Sequence, residues 1–327
     1  MIFITVILKK MGKTDNSFIV MVKKEISDHL RSWRFIILLA IIILTCVGSV
    51  LIALDGLTSA IKQSQSEDSF LFLRLYTASD GTLPSFFVFV SFLGPLLGIS
   101  MGFDAINMEE NRRTLSRIMS HPIHRDSIIN AKFTAAIAVL SVMFFLLGFL
   151  VMGIGIIAIG IPPTPEEFLR VIFFIMLSIL YVSFWLNLSI FFSVKFRQPA
   201  TSALSGIAVW LFFTVFYGII VSLVAKAAAP DASSAQQVLS YQQFIVNLFR
   251  ILPSELYSDI TSTLLVPTIR SLGPLTVERM YGTIPSALPL GQSLLIVWPQ
   301  ITGLIAASIL CFVFSYISFM KREIRSR

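Results

Sequence analysis

Six long runs of apolar residues alternate with polar segments along the chain. A helix needs about 20 consecutive apolar residues to cross the ~30 Å hydrocarbon core of a bilayer, and each run is close to that length or longer. The pattern therefore predicts an all-α polytopic membrane protein with six transmembrane helices. The expected spans cover residues 35–54, 85–103, 133–161, 168–194, 200–223 and 288–320.

The composition supports this class. Of 327 residues, 56% are hydrophobic and 13% are charged, and the mean hydropathy is +0.85. Soluble domains average about 25% charged residues, so a soluble fold of this size could not cover so much apolar surface. Both cysteines, Cys46 and Cys311, fall inside apolar runs, which indicates neither a disulfide nor a metal site. We expect no cleavable signal peptide, because the apolar stretch at residues 2–8 is short and precedes Lys9 and Lys10.

Residues 1–34 form a predicted N-terminal segment whose second half is amphipathic. From Ser17 to Arg34, apolar residues recur at spacings of three and four, which places them on one side of a helix. Such a helix directly before a span is expected to lie in the membrane interface. The simpler alternative is that it only extends the first span. The apolar positions are Phe18, Val22, Ile26, Leu30 and Trp33.

The segment from Asp104 to Lys132 is charged and lies between the second and third spans. Within it, residues 107–119 are predicted to form one short helix. The acidic residues of this stretch come first and its arginines last, which suits the helix dipole. Glu109 and Arg113 also have the i,i+4 spacing of a helical ion pair. A turn is expected to follow at residues 120–122.

Two other connections carry local signals. Thr164, Pro165 and Glu167 have the spacing of a helix N-cap, a first-turn proline and a capping box at the start of the fourth span. Residues 225–286 are expected to form a large outer region between spans five and six. An amphipathic stripe within this region is expected to stop at Pro253.

Basic residues are unevenly distributed between the two sides of the predicted spans. With six spans both termini lie on one side, and that side carries 18 Lys and Arg residues against 7 on the other. Lys and Arg gather in cytoplasmic loops. The count therefore predicts that both termini, the basic tail at residues 321–327 and the Asp104–Lys132 segment are cytoplasmic. We expect a multi-pass protein of the cell (plasma) membrane.

The spans offer little for an ion pathway. An ionisable residue inside a span would indicate one, but the interiors of the predicted spans contain none. Arg170 and Lys226 lie near the outer ends of their spans, where long side chains are expected to snorkel to the surface. Residues 12–14 match the end of a phosphate-binding loop, but Ile7 stands where its first glycine should be. We therefore expect no cofactor in this chain; ATP, if used, is bound by a partner subunit.

Two enzyme-like patterns have simpler explanations. His121 and His124 are three residues apart, but Pro122 lies between them, so a polar turn is favoured over a metal site. The Glu166-Glu167 pair resembles the paired glutamates of intramembrane CAAX-type proteases. Those enzymes need histidines on later spans, and none follows His124. We expect neither a catalytic residue nor a metal ligand, and read the glutamates as helix N-terminal charges.

Several short motifs stand in a definite order along the chain. The Asp104–Lys132 segment contains Asp104-Ala105-Ile106, Glu109, Arg113-Thr114-Leu115, Ser120, Pro122, Arg125 and Ala131-Lys132. Later in the chain come Pro253, Ser254, Tyr257 and the tail at residues 319–325. Together with the six spans, these motifs resemble the ABC-2 type permease family over nearly the whole chain. The tail is most similar to the subgroup of the nitrous-oxide-operon permease.

The resemblance implies a type V exporter-like fold, in which two six-span permease subunits pair with two separate ATPase subunits. This chain would be the permease subunit of an ATP-binding cassette transporter, an exporter that works as a homo- or heterodimer and binds no nucleic acid. The segment between spans two and three would couple the permease to its ATPase. The candidate coupling residues are Asp104, Glu109, Glu110, Arg112, Arg113, Thr114, Leu115, Ser120, Pro122, Arg125 and Asp126.

The alternative is a membrane-integral scaffold or enzyme that acts without an ATPase. A charged segment between two spans also follows from the positive-inside pattern alone. An ATPase gene beside this one would favour the transporter. The residues leave the transported substrate and the pairing of the subunits open.

The charge distribution makes a testable prediction about orientation. In a background without Cys46 and Cys311, single cysteines near Asp68 and within residues 232–240 should react with an impermeant thiol reagent added to intact cells. A cysteine at Ser116 should react only after the membrane is permeabilised, because its segment is rich in arginine. Labelling of Ser116 alone in intact cells would show that the orientation is reversed.

Overall fold

The computed structural model describes residues 16–63, 70, 72–79, 84–120, 124–160, 162–229, 235–269 and 287–322. All regular secondary structure in these residues is helical, which confirms the predicted all-α class. The helices are α1 (Asn16–Leu30), α2 (Trp33–Gln63), α3 (Arg74–Thr77), α4 (Phe86–Gly102), α5 (Asn107–Asn111), α6 (Thr114–Met119), α7 (Arg125–Ile159), α8 (Pro165–Lys195), α9 (Pro199–Leu211), α10 (Tyr217–Ala227), α11 (Ala235–Phe249), α12 (Pro253–Leu265) and α13 (Leu290–Lys321). A π-helical turn, Phe212–Phe216, joins α9 to α10.

In the part of the chain that the structure describes, six helical stretches are long and apolar enough to cross a membrane: α2, α4, α7, α8, α9 with α10, and α13. They coincide with the six predicted spans. One difference is at α7, which begins at Arg125, two turns before the predicted start at Phe133. Asp126 favours the earlier start because a negative charge in the first turn complements the helix dipole. The end of the Asp104–Lys132 segment is therefore helical and continuous with the third span.

The central helix of the bundle is α8, which packs against α4, α7, α9, α12 and α13. In its most apolar stretch 67% of the residues are buried, against 11% in the fifth span. The helix begins as predicted, with Thr164 as its N-cap and Pro165 as its first residue. Thr164 Oγ1 accepts a hydrogen bond from Glu167 N, and Thr164 N donates to Glu167 Oε2 (2.8 Å), which completes the capping box.

Close packing of α4 on α8 depends on three glycines. Gly94, Gly98 and Gly102 are spaced four residues apart and all face α8. A Cβ atom on Gly98 would lie 2.7 Å from the carbonyl oxygen of Val182, which is closer than real Cβ contacts. Small residues allow membrane helices to approach backbone to backbone, and α4 uses them for its main contact.

Polar side chains join α8 to its neighbours inside the apolar region. Ser189 Oγ donates a hydrogen bond to Ile99 O of α4 (3.0 Å). Asn187 Nδ2 donates to Ser308 O of α13 (3.3 Å), and Ser315 Oγ donates to Asn187 O (3.1 Å). These bonds satisfy polar groups that would be costly to bury without a partner.

The connection between the fifth and sixth spans is partly buried in the bundle. The sequence predicted one outer region over residues 225–286 with an apolar stripe that stops at Pro253, but Pro253 is the first residue of another helix, α12. This helix packs against α4, α8 and α13. Its Tyr257 is fully buried, stacks on Tyr181 with 4.4 Å between ring centroids, and shares a hydrogen bond with Ser178 (2.7 Å). The burial of α12 depends in part on α4 and α8, which are distant from it in sequence, so local patterning could not reveal it.

The close approach of α4 to α8 predicts that Gly98→Ala is destabilising. The added methyl group would overlap the Val182 carbonyl oxygen, and the repacking should cost roughly 1–3 kcal/mol. Gly218→Ala is the matched control, because a Cβ atom there meets nothing within 4 Å and alanine is favoured over glycine in a helix by about 0.5–1 kcal/mol. In thermal unfolding of the detergent-purified variants, only Gly98→Ala should lower the midpoint. Equal midpoints for the two variants would contradict the tight contact.

Candidate functional site

Four parts of the chain meet at one end of the bundle: α1, the Asp104–Lys132 segment, the connection after α8, and the end of α13. Asn111 Nδ2 donates a hydrogen bond to Arg197 O (3.0 Å) in the connection after α8. Arg322 Nη2 lies 2.5 Å from Glu110 Oε2. This assembled end contains the described residues that the sequence predicted for coupling.

Lys24, Glu25, Glu109 and Lys132 form a charge cluster that joins α1, α5 and α7. Lys132 Nζ lies 3.0 Å from Oε1 of Glu25 and 3.0 Å from Oε1 of Glu109. Lys24 Nζ lies 2.9 Å from the same two oxygens. Two positive and two negative groups thus alternate around the cluster and hold α1 against the start of the third span.

The charge cluster is largely removed from solvent. The side chains of Lys132, Glu109 and Glu25 are 6%, 12% and 13% exposed, whereas Lys24 is 49% exposed. Burial alone would raise the pKa of Glu25, but the charge of Lys132 and the contacts with Lys24 outweigh it and hold that pKa below its ordinary value. Burial would lower the pKa of Lys24, but Glu25 and Glu109 raise it overall. Because the pKa of Glu25 is depressed by folding, its stabilising contribution is present at neutral pH and is lost only as the pH falls through the folded value.

The predicted single helix over residues 107–119 is wrong, since α5 and α6 are separate helices. Arg113 between them has a φ of 57°, a left-handed conformation that interrupts the helical hydrogen-bond pattern. Thr114 Oγ1 donates a hydrogen bond to Glu109 O (3.1 Å) across this break. The predicted i,i+4 geometry between Glu109 and Arg113 therefore does not form, and the Glu109 carboxylate pairs within the charge cluster instead.

Two further contacts hold the beginning of the segment. Arg34 Nη2 lies 2.6 Å from Asp104 Oδ2, and the Arg34 guanidinium lies 4.7 Å from the centre of the Phe103 ring. Ser193 Oγ on α8 accepts a hydrogen bond from Ile106 N (2.9 Å). The first and fourth spans are thus both tied to the point where the segment leaves α4.

Arg125 binds the end of α13. It donates hydrogen bonds to Arg322 O (2.7 Å) and Phe319 O (3.3 Å), and its guanidinium lies 5.6 Å from the centre of the Phe319 ring. Arg322 in turn pairs with Glu110 and donates a hydrogen bond to Val194 O. The end of the sixth span therefore contacts the Asp104–Lys132 segment both at Glu110, near its beginning, and at Arg125, near its end.

Most of the predicted coupling residues fall into two groups. Those that hold the segment in place are Asp104, Glu109, Glu110, Thr114, Leu115 and Arg125, of which Leu115 is 2% exposed. Those on the exposed side are Arg112, Arg113 and Ser120, together with the neighbouring Arg117. Asp126 accepts a hydrogen bond from Ser127 N in the first turn of α7. Pro122 and His121 lie outside the described residues.

The sequence analysis missed the partners of the segment, which are Lys24, Glu25, Arg34, Ser193 and Arg322. One signal was present, because the polar side of the amphipathic helix carries both charge signs. Nothing in one sequence says which distant charge each of these residues meets. The positions of Arg34 and Arg322 in the sequence indicate membrane sidedness and, for the tail, the family, but not these contacts.

At the opposite end of the bundle, Arg170 is fully buried, so the prediction that it snorkels to the surface is wrong. It donates hydrogen bonds to Glu166 Oε1 (2.9 Å), Leu264 O (2.9 Å) and Leu288 O (2.5 Å). Glu166 Oε1 also accepts a hydrogen bond from Leu290 N (3.0 Å). This cluster joins the starts of α8 and α13 to the end of α12. Within the described part of the chain, no group of three or more His, Cys, Asp or Glu side chains is arranged to hold a metal ion.

The burial of the charge cluster predicts that Lys132→Met destabilises the protein far more than Lys24→Met. Loss of Lys132 leaves two desolvated carboxylates without their buried cation, and such a change typically costs ~3–5 kcal/mol. Lys24 is half exposed, so its loss should cost about 0–1 kcal/mol. Thermal unfolding in detergent measures both. Adding Glu109→Gln to Lys132→Met should recover part of the loss; wild-type stability of Lys132→Met would contradict the role of the cluster.

The chain is similar to a family of transporters over most of its length. Residues 19–324 match the family described as ABC-2 family transporter protein. A Pseudomonas aeruginosa protein named "Probable ABC transporter permease protein NosY" is 27% identical over 198 residues, which cover 60% of this chain and 66% of that relative. A Stutzerimonas stutzeri protein of the same name is 27% identical over 204 residues, which cover 61% of this chain and 67% of that relative. Because the family match extends over nearly the whole chain, the protein belongs to the ABC-2 transporter family, as the motifs in its sequence indicated.

Proposed function

We propose that this protein is the transmembrane permease subunit of an ATP-binding cassette exporter, in which a separate ATPase subunit hydrolyses ATP and a second permease subunit completes the pathway. Family membership and the permease names of the two relatives support this assignment. Six helices long enough to cross a membrane supply the transmembrane part. In the proposed arrangement the termini and the Asp104–Lys132 segment lie in the cytoplasm, where the ATPase is.

The observation that carries the proposal is the way the Asp104–Lys132 segment is fastened. Glu109 is held by the charge cluster, Asp104 by Arg34, and Glu110 by Arg322. These contacts come from α1, from the first turn of α2, from α7 and from the end of α13. A displacement of the segment is therefore passed to several spans at once.

The other side of the segment offers a surface for a partner protein. Arg112, directly after α5, and Arg117, within α6, are exposed, whereas Leu115 of α6 is buried. This exposed basic patch, on a segment that is fixed to the bundle, is expected to bind an acidic surface on the ATPase, because complementary charges favour docking and fix its register. The segment thus has one side for the permease and one for its partner.

The proposed mechanism needs no catalytic group in this chain. ATP binding and hydrolysis move the partner's docking surface, and the segment follows because its exposed side is bound. The paired carboxylates transmit this motion to α1, α2 and α13, and the packed spans around α8 respond by shifting as bodies. The scaffold alternative gives the exposed arginines no ATPase to bind, so the presence of that partner decides between the two functions.

The test is purification of the affinity-tagged chain from the membranes of its own host. The wild-type chain should retain an ATP-binding cassette ATPase and ATP hydrolysis activity. Arg112→Glu/Arg117→Glu should reach near-normal yield, because exposed charges contribute only about 0–1 kcal/mol to stability. Loss of docked charge pairs costs roughly 2–5 kcal/mol, so the double variant should bind the ATPase at least about 30-fold more weakly.

Lys226→Glu is the matched control for Arg112→Glu. Both side chains are exposed, but Lys226 lies at the opposite end of the bundle, so its reversal should leave ATPase retention unchanged. If the double variant still bound the ATPase and supported normal ATP hydrolysis, the segment would only set the orientation of the chain in the membrane. A wild-type chain that purifies without any ATPase would support the scaffold alternative.

A further inference from the structure

A cavity of about 270 Å³ lies between α4, α8, α12 and the fifth span, away from the Asp104–Lys132 segment. Its volume is near the lower end for small-molecule pockets, about 300–1,000 Å³. Aromatic rings from three of these elements dominate its wall. They belong to Phe87, Phe92, Tyr181, Trp185, Trp210 and Phe213.

The rings are held in defined orientations. Trp210 packs edge-on against Phe92 with 5.0 Å between ring centroids. Phe213 packs edge-on against Trp185 at 6.5 Å. Tyr181, whose hydroxyl donates a hydrogen bond to Ser91 O (3.0 Å), is additionally stacked on α12. The wall is therefore preorganised, which reduces the cost of ordering side chains when a ligand binds.

One acidic side chain, Glu255 in the first turn of α12, faces the cavity. Its carboxylate makes no hydrogen bond or ion pair with another residue in the described part of the chain. Asp259, one turn further along α12, pairs with Arg250 (2.9 Å). Burial, and then the negative charge of Asp259, raise the pKa of Glu255. Glu25, Glu109 and Asp259 each have a cation beside their carboxylate. The carboxylate of Glu255 has no such cation among the described residues.

A further feature marks the same place. The π-helical turn Phe212–Phe216 brings both Phe213 and Thr214 to the cavity wall. π-helical turns occur frequently at functional sites.

We propose that this cavity binds an organic ammonium cation, either free or as the headgroup of a lipid. Aromatic faces attract such cations through their quadrupoles, most strongly where water is excluded, and Glu255 supplies the opposite charge. A hard metal ion is disfavoured, because it needs several oxygen ligands, chiefly carboxylates and carbonyls, in a tight shell. The wall supplies one carboxylate and otherwise only the neutral hydroxyl groups of Ser91, Thr214, Ser254 and Ser258 among the rings. A neutral apolar ligand would leave the carboxylate uncompensated.

The experiment uses the purified chain in nanodiscs of phosphatidylglycerol, which has no ammonium group. The intrinsic fluorescence of Trp185 and Trp210 reports binding of choline and of its neutral isostere, 3,3-dimethyl-1-butanol. Choline should give a saturable change, and the isostere should bind at least about tenfold more weakly, because only choline carries the charge. Glu255→Gln should weaken choline binding by a similar factor, whereas Glu255→Asp should retain part of it.

Asp28→Asn is the control, since it removes the same charge from α1, away from the cavity, and should leave choline binding near the wild-type level. Thermal midpoints show that each variant is folded. Discs that contain phosphatidylcholine distinguish a lipid headgroup from a free cation as the natural ligand. A weaker apparent affinity for choline in these discs identifies the lipid headgroup as a competitor, and an unchanged affinity identifies a free cation. Either result supports the proposal. Equal binding of choline and its isostere, no saturable binding, or undiminished binding by Glu255→Gln would overturn it. No ATPase takes part, so failure here leaves the transport proposal standing, and the converse also holds.

Discussion

A polar or charged group surrounded by apolar helices has to find a partner, and the fold of this protein depends on that constraint. Water cannot satisfy these groups in the bundle, and an unpaired charge is costly to bury. At one end of α8 the fully buried Arg170 donates hydrogen bonds to Glu166 and to two backbone carbonyl groups from other parts of the chain. At the other end Ser193 accepts a hydrogen bond from a backbone N–H group of the Asp104–Lys132 segment. Both ends of the central helix are therefore places where distant parts of the chain are tied together.

The same constraint explains why the end that contains the segment can act as a unit. A surface ion pair contributes little to stability. A flexible loop held only by such pairs could therefore be displaced without moving the helices that it contacts. The charge cluster differs because three of its four side chains are largely desolvated. Displacing the segment would separate charges that have little solvent to replace their partners. The segment and the helices it contacts consequently favour moving together.

Glu255 is the instructive exception. Glu25 and Glu109 are each within 3.0 Å of two lysines, whereas no described residue pairs with Glu255, although it lines a cavity with an aromatic wall. Folded proteins seldom leave such a group uncompensated when a neighbour could satisfy it. Acidic side chains at both ends of the molecule close internal contacts, as Glu109 and Glu166 do, whereas Glu255 is left available to a ligand.

The amino-acid sequence by itself determined the features that depend on residues close together in the chain. The six spans follow from the length of each apolar run, and the start of α8 follows from Thr164, Pro165 and Glu167, because hydrophobic length and helix capping act within a few turns. The motifs also indicated the family. Only the tertiary structure decided which distant groups meet. It buried Arg170, placed α12 among three helices, and broke the predicted helix at Arg113 while directing Glu109 to Lys24 and Lys132. Each of these outcomes depends on the electrostatic and packing partner that folding supplies, and the local sequence around a residue does not specify that partner.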